Sequence, residues 1–180
     1  PYDTDTLVVG RVEELGFRSL VAGPMNWISG AAPQVPFRAL VKTRPLLADE
    51  LFSGWGVRTL GSGEAGYNPL GYHTGTVWPH ENSLIAAGLA RYGHRDAATT
   101  IARAILAAAP HFEYRLPEVF AGYPSAETTV PVAFPTASRP QAWAAGAPLL
   151  LLTTLLDLQP GQVHADADLG PGLGTVALRR

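Results

Sequence analysis

Two helix-forming segments separated by a short link constrain the fold more than any other feature of the sequence. The first opens at Pro79, where proline is tolerated because the first N–H groups of a helix lack intrahelical partners. Apolar or small residues then recur one turn apart, at Leu84, Gly88 and Tyr92, with Ile85 and Leu89 beside them, and predict one apolar face. The second segment spans 97–109. Because the link at 93–96 is short, the two segments are expected to form an antiparallel helix hairpin.

Local residue types suggest where the helices end. Gly93 is a typical residue after a helix C-terminus, and Asp96 is predicted to cap the second helix. Pro110 is predicted to end that helix. Ser138 is predicted to cap a third helix that runs to Leu158. The pattern indicates helix pairs joined by long loops.

Composition agrees with an all-α fold that is rich in loops. The chain has 180 residues with 19 glycines and 16 prolines, which favours many connections between short helices. Its longest apolar run, 142–156, is shorter than the ~20 residues of a membrane span, so a buried helix is expected. One β-strand is predicted near the C-terminus, at Thr175–Leu178.

Charge and cysteine content exclude several classes of function. The net charge of −2 gives no electrostatic basis for binding nucleic acid or an anionic membrane. The absence of cysteine excludes disulfides and thiolate metal sites. Residues 1–6 are polar and do not read as a signal peptide. The first residue is proline rather than methionine, so a trimmed chain or a fragment is expected.

One loop carries most of the candidate chemistry. Residues 68–82 combine glycine and proline with many aromatic and titratable side chains and lead directly into the first helix. The candidates in and beside this loop are Tyr67, Tyr72, His73, Trp78, His80, Glu81 and Asn82. The sequence leaves two alternatives open: a ligand-binding loop, or a structural loop whose aromatics fill the core.

Glu118 is the sharpest single candidate for catalysis. It is flanked by Leu116, Pro117, Val119 and Phe120, so partial desolvation is expected to raise the pKa of its carboxyl group. Acid–base catalysis often uses a carboxyl group shifted in this way. The alternative is a structural glutamate that pairs with Arg115 or caps a turn.

Histidine and tryptophan side chains allow further alternatives. His80 and Glu81 are adjacent, and neighbours on a helix do not point the same way, so they argue against a metal site. Hydrogen bonds from His73 and His80 to a ligand, or to the loop itself, are the preferred interpretation. Trp143 lies on an apolar helix and would by default be a core residue.

Four segments in order resemble a known family. They are 51–60 (LFSGWGVRTL), 67–82 (YNPLGYHTGTVWPHEN), 115–123 (RLPEVFAGY) and 140–147 (PQAWAAGA). Together they look like the C-terminal part of bacterial glycogen-debranching-enzyme-like proteins of the amylo-α-1,6-glucosidase type. The resemblance implies part of an (α/α)6 toroid, related to trehalases and processing α-glucosidases. It further implies hydrolysis of α-glucosidic bonds with inversion, using two carboxyl groups and no cofactor.

The resemblance also implies roles for individual residues. Glu118 matches the general base, and the sugar-binding positions are matched by Tyr72, His73, Trp78, His80, Glu81, Gln141 and Trp143. The substrate would be an α-glucan or a related oligosaccharide, and the location cytoplasmic. The general acid is expected upstream of this chain, so the isolated chain is expected to be inactive.

The predicted organisation has three parts. Residues 1–45 form an N-terminal region unlike the debranching family, 46–160 form the toroid part, and 161–180 form a tail with the possible strand. Two alternatives to an enzyme remain open at this point. One is a carbohydrate-binding helical domain without catalysis, and the other is a structural fragment that self-associates through exposed helix faces.

Overall fold

The computed structural model describes residues 46–158 and the backbone of two short strands in the tail. The predicted N-terminal region, 1–45, lies outside the described residues. Among those residues, three α-helices surround a core that includes Ile101, Ile105 and Leu151, each fully buried. The all-α prediction is confirmed.

Helix α1 spans Pro79–Arg91, and the sequence explains both of its ends. Trp78 is the extended N-cap and Pro79 follows it at the first helical position. At the C-terminus, Gly93 takes a φ of +84°, and its N–H donates to the carbonyl of Ala90. The N–H of His94 donates to the carbonyl of Leu89, which completes a Schellman motif. The predicted role of Gly93 is therefore confirmed.

The buried face of α1 differs in part from the predicted one, which included the buried Leu89. Asn82, Ser83, Ala86 and Leu89 are buried, whereas Leu84 is only half-buried. The two polar residues can enter the core because backbone groups satisfy them. The Ser83 hydroxyl, for example, donates to the His80 carbonyl at 2.6 Å.

Helix α2 spans Arg95–Ala108 and continues as a 3-10 helix over Ala109–Phe112. It packs against α1, as the predicted hairpin requires. The prediction that Asp96 caps this helix is wrong. His94 is the N-cap and makes no side-chain cap bond, while Asp96 lies in the first turn, where its negative charge complements the helix dipole.

Helix α3 spans Ala142–Leu155 and packs against both α1 and α2. The prediction that Ser138 caps it is wrong, because the Gln141 side chain accepts a hydrogen bond from the N–H of Ala144 at 2.9 Å. Ser138 instead uses its backbone to contact Glu118. Leu151 and Leu155 face the core, whereas Leu149 is 70% exposed.

A row of isolated antiparallel bridges joins the loops beneath the helices. The bridges pair Phe52 with Val57, Arg58 with Val77, Val77 with Phe120, and Phe120 with Ala133. Val77 and Phe120 exchange both backbone hydrogen bonds, at 2.9 and 3.0 Å. This row, called the bridge row below, places the 67–82 loop beside the segment that carries Glu118.

The tail contains the predicted strand. Strand β2, Thr175–Leu178, pairs antiparallel with β1, Ala165–Asp168, and Ala165 lies opposite Leu178. The prediction of a strand at Thr175–Leu178 is confirmed, and the structure adds its partner strand.

Candidate functional site

Tyr72 and Glu118 form the centre of the candidate site. The Tyr72 hydroxyl donates a hydrogen bond to Oε1 of Glu118 at 2.5 Å. The other carboxylate oxygen, Oε2, accepts from the backbone N–H of Ser138 at 3.2 Å, and the Glu118 N–H donates to the Ser138 carbonyl at 3.0 Å. Glu118 is therefore held from two sides, by a side chain of the 67–82 loop and by the backbone before α3.

The electrostatics of Glu118 are opposite to the prediction. The hydrogen bond from Tyr72 lowers the pKa of the Glu118 carboxyl group, the backbone bond from Ser138 lowers it further, and burial opposes both. The predicted rise in this pKa is wrong because two donors outweigh the apolar neighbours in sequence. The alternative that Glu118 pairs with Arg115 is not what the structure shows. The lowered pKa favours the ionised form of Glu118.

The same contact changes the Tyr72 phenol. Donation to Glu118 is the main cause that raises the pKa of Tyr72 to about 12, and burial adds to it. The negative charges of Glu118 and Glu81 contribute in the same direction. Glu81 therefore lies within electrostatic reach of the Tyr72 hydroxyl, so both carboxyl groups belong to one neighbourhood.

The backbone of Tyr72 is held by its own loop. Its carbonyl accepts from the Thr76 hydroxyl at 2.7 Å and from Nε1 of Trp78 at 3.1 Å. The His73 and Trp78 rings stack nearly parallel, with centroids 5.5 Å apart. The Tyr72 ring meets both edge-on and lies 5.7 Å from Phe134. The predicted residues Tyr72, His73 and Trp78 are thus brought together beside Glu118.

Close backbone approach fixes the loop against the Glu118 segment. The Gly122 N–H donates to the Pro69 carbonyl at 2.9 Å, and a Cβ at Gly122 would lie 1.7 Å from the Gly75 carbonyl oxygen. Only glycine at position 122 permits this approach.

Arg58 braces the same region and was not predicted from the sequence. It is 1% exposed, and its guanidinium group donates to three backbone carbonyls, those of Gly122, Asp49 and Glu50. The guanidinium also lies over the Tyr67 ring, 5.9 Å from the centroid. A buried arginine that binds carbonyls fixes loop geometry, and its only sequence signal was its place within the 51–60 segment.

His80, Glu81 and Trp143 form a second cluster. The rings of His80 and Trp143 are 4.6 Å apart, and Nδ1 of His80 is 3.8 Å from Oε1 of Glu81, too far for a hydrogen bond. Nδ1 of His80 and Oε2 of Glu81 are buried, and neither has a hydrogen-bond partner within the described part of the chain. Two such atoms are costly unless a ligand or water satisfies them.

The two predicted residues near α3 differ in their surroundings. Trp143 is 45% exposed, so the interpretation of this residue as part of the core is wrong. Gln141 uses its Oε1 to cap α3, which orients the first turn that carries Trp143. Its predicted contact with sugar stays a prediction.

The arrangement combines an ionised carboxylate with exposed aromatic faces and unsatisfied polar atoms. Such surfaces suit a polyhydroxylated ligand, since aromatic rings cover C–H faces while polar atoms bind hydroxyls. Across residues 46–158, no group of three or more histidine and acidic side chains is placed to hold a metal ion. None of the helices described here has the length and apolar character that crossing a membrane requires.

Comparison with known proteins identifies the family of the chain. A search of curated proteins found no significant match. A family described as "Mannosylglycerate hydrolase MGH1-like glycoside hydrolase domain" matches residues 9–143. The match supports a glycoside hydrolase of the six-hairpin type and confirms the predicted fold class, part of an α/α toroid, without supporting the debranching family specifically. Because the match spans well over half of the 180 residues, the chain belongs to the MGH1-like glycoside hydrolase domain family.

Proposed function

We propose that this domain hydrolyses a glycosidic bond, with the carboxylate of Glu118 as the general base that activates water. The observation that carries the proposal is the paired donation to Glu118, from the Tyr72 hydroxyl to Oε1 and from the Ser138 N–H to Oε2. A base must be unprotonated when it acts, and both bonds favour the ionised form. A carboxylate oxygen can accept two hydrogen bonds, so each oxygen retains capacity for a water molecule.

The sugar would be bound by the two aromatic groups of the site. One is the stack of His73 and Trp78 beside Tyr72, and the other is Trp143 against His80. Sugar hydroxyls would satisfy Nδ1 of His80 and Oε2 of Glu81, the two buried atoms without partners in the described residues. Sugar binding would then supply the hydrogen bonds whose absence destabilises the unliganded fold.

The substrate we propose is an α-glucoside, either an α-glucan or a related oligosaccharide, as in glycogen debranching. The resemblance of four ordered segments supports this class, together with inversion and a cytoplasmic location. Inversion requires a general acid across the sugar ring, with the two carboxyl groups ~6.5–9.5 Å apart. We propose that the acid lies outside this chain, as the resemblance implies. The isolated chain would then be inactive.

Mannosylglycerate is the second candidate substrate. The match of residues 9–143 to a family named for a mannosylglycerate hydrolase favours it. A panel of maltooligosaccharides, α-1,6-branched dextrin and mannosylglycerate, assayed with the natural protein that carries this chain, separates the two. Release of sugar with inverted anomeric configuration, followed by NMR, would identify both the substrate and the stereochemistry.

Glu118→Gln tests the role of the base. General base catalysis contributes ~10²–10⁴-fold, so kcat should fall by about that factor while binding of substrate changes little. Glu127→Gln is the matched control, because Glu127 is exposed on the surface. Near-normal turnover by Glu118→Gln would contradict the proposal. Sugar binding by a wild-type protein that hydrolyses none of the panel would favour a carbohydrate-binding domain without catalysis.

A further inference from the structure

The hydrogen bond between Tyr72 and Glu118 indicates a role for Tyr72 that differs from the sugar contact expected from the sequence. A phenol has a single proton to donate, and here the Tyr72 proton is directed at Oε1 of Glu118 over 2.5 Å. While that bond is made, the hydroxyl can meet a sugar only as an acceptor. Tyr72 is 38% exposed, but its hydroxyl group already donates its proton to Glu118.

We infer that Tyr72 is a positioning residue for the general base, which fixes Oε1 so that the carboxylate presents a constant face to the attacking water. This inference rests on the proposed role of Glu118. The opposite oxygen is fixed by the Ser138 N–H, so the carboxylate plane is defined by one donor on each oxygen. A carboxylate held at both oxygens cannot rotate freely about its last side-chain bond.

The surroundings of Tyr72 are suited to this part. Its carbonyl is held by two donors from the same loop, those of Thr76 and Trp78, and the bond between Val77 and Phe120 holds the loop beside the Glu118 segment. The Tyr72 ring is packed edge-on against His73 and Trp78 and near Phe134. With both backbone and ring held, the hydroxyl has little freedom to leave Glu118.

The contact has a measurable effect on protonation. Loss of the Tyr72 hydroxyl removes the largest cause that lowers the pKa of Glu118, so this pKa should rise in Tyr72→Phe. A general base is inactive when protonated, and the acidic limb of the profile of kcat/KM against pH should therefore move to higher pH. Among the described residues, His73 contacts the Tyr72 ring and the charge of Glu81 acts on the Tyr72 phenol, and both titratable groups are retained in this variant.

Tyr72→Phe and Tyr114→Phe form the test and its control. Tyr114 is 78% exposed, so its replacement removes the same hydroxyl without touching Glu118. The Glu118 carboxyl carbon is assigned in ¹³C NMR spectra of the chain by its loss in Glu118→Gln, and is then titrated in each protein. An upward shift of its midpoint in Tyr72→Phe alone is expected. An unchanged midpoint in a folded Tyr72→Phe would overturn the inference.

A reciprocal measurement covers the case in which Tyr72→Phe does not fold. In the wild type the Tyr72 phenol should titrate near the raised pKa of about 12, and in Glu118→Gln it should fall toward the ordinary value of about 10. If the Tyr72 pKa is the same with and without the Glu118 carboxylate, the two groups are not coupled and the inference fails. Both titrations are independent of turnover. If the pKa values of Tyr72 and Glu118 depend on each other but the protein hydrolyses no substrate, the proposed role of Glu118 as the base is contradicted and the contact with Tyr72 is not.

Discussion

The two carboxyl groups of the candidate site differ in how the fold treats them. Glu118 accepts a hydrogen bond at each oxygen, from the Tyr72 hydroxyl and the Ser138 N–H. Glu81, within electrostatic reach of Tyr72, has one oxygen 3.8 Å from His80 and the other buried without a partner in the described residues. The fold satisfies one carboxylate and leaves the other partly unsatisfied.

The difference indicates separate roles for the two carboxyl groups. A carboxylate with donors on both oxygens is held ionised and oriented, as a base requires. Buried polar atoms without partners cost free energy in the unliganded fold, and this cost is recovered when a ligand supplies the missing bonds. We therefore expect Glu118 to act on the reaction rate and the His80–Glu81 pair to act on sugar affinity.

Asn82→Ala should have the largest effect, because it removes buried hydrogen bonds at the start of α1, the helix that carries Glu81 and follows the loop of Tyr72. Asn82 is 1% exposed, its Oδ1 accepts from the Val57 N–H at 2.7 Å, and its Nδ2 donates to the carbonyls of Val57 and Trp78. Leaving buried backbone groups unsatisfied costs ~1–3 kcal/mol each, so the free energy of unfolding should fall by about 3 kcal/mol in urea denaturation.

Asn68→Ala is the control for that prediction. Asn68 is exposed and its side chain accepts a short-range hydrogen bond from the Leu70 N–H, so loss of this side chain should cost under ~1 kcal/mol. Equal losses in the two variants would contradict the stabilising role of the buried Asn82 hydrogen bonds.

The helix hairpin could be predicted from sequence because its signals are local. Pro79 at the start of α1, Gly93 at its end and the short link to α2 each act within one turn of where they stand. The strand at Thr175–Leu178 was predictable for a similar reason, from a β-branched apolar segment bounded by glycine.

The contacts of the site could not be predicted, although most of its residues could. Tyr72 and Glu118 are 46 positions apart, and the bridge row that joins them uses backbone atoms of Val77 and Phe120, which any residue supplies. The apolar neighbours of Glu118 in sequence gave the wrong sign for its pKa, because its donors come from elsewhere in the chain. Arg58 is buried, although arginine usually lies at the surface. Its partners are backbone carbonyls, which every residue has, so the sequence contains no pattern that predicts these bonds.

Glu81→Gln sharpens the comparison, because stability and binding should change in opposite directions. Removing the charge from a carboxyl group whose Oε2 is buried without a partner in the described residues should raise the free energy of unfolding of the unliganded chain by about 1 kcal/mol, or Tm by ~2–4 °C. Sugar affinity should fall, since the carboxylate would no longer accept strong hydroxyl bonds. Glu118→Gln should lower stability instead, because a charge-assisted bond is lost. Stabilisation by both substitutions, or by neither, would remove the distinction between the two groups.

Trp143→Ala should have the smallest effect on the fold and a separate effect on binding. Trp143 is 45% exposed and contacts the His80 ring, so the free energy of unfolding should fall by less than ~1 kcal/mol. Loss of an aromatic face on a sugar should cost about 1 kcal/mol, or roughly fivefold in Kd, by calorimetry with the preferred substrate of the panel. Leu149→Ala, at a 70% exposed position on the same helix, is the control and should leave Kd unchanged. A Trp143→Ala protein with normal affinity and much reduced stability would make Trp143 a structural cover for His80 and would contradict its proposed contact with sugar.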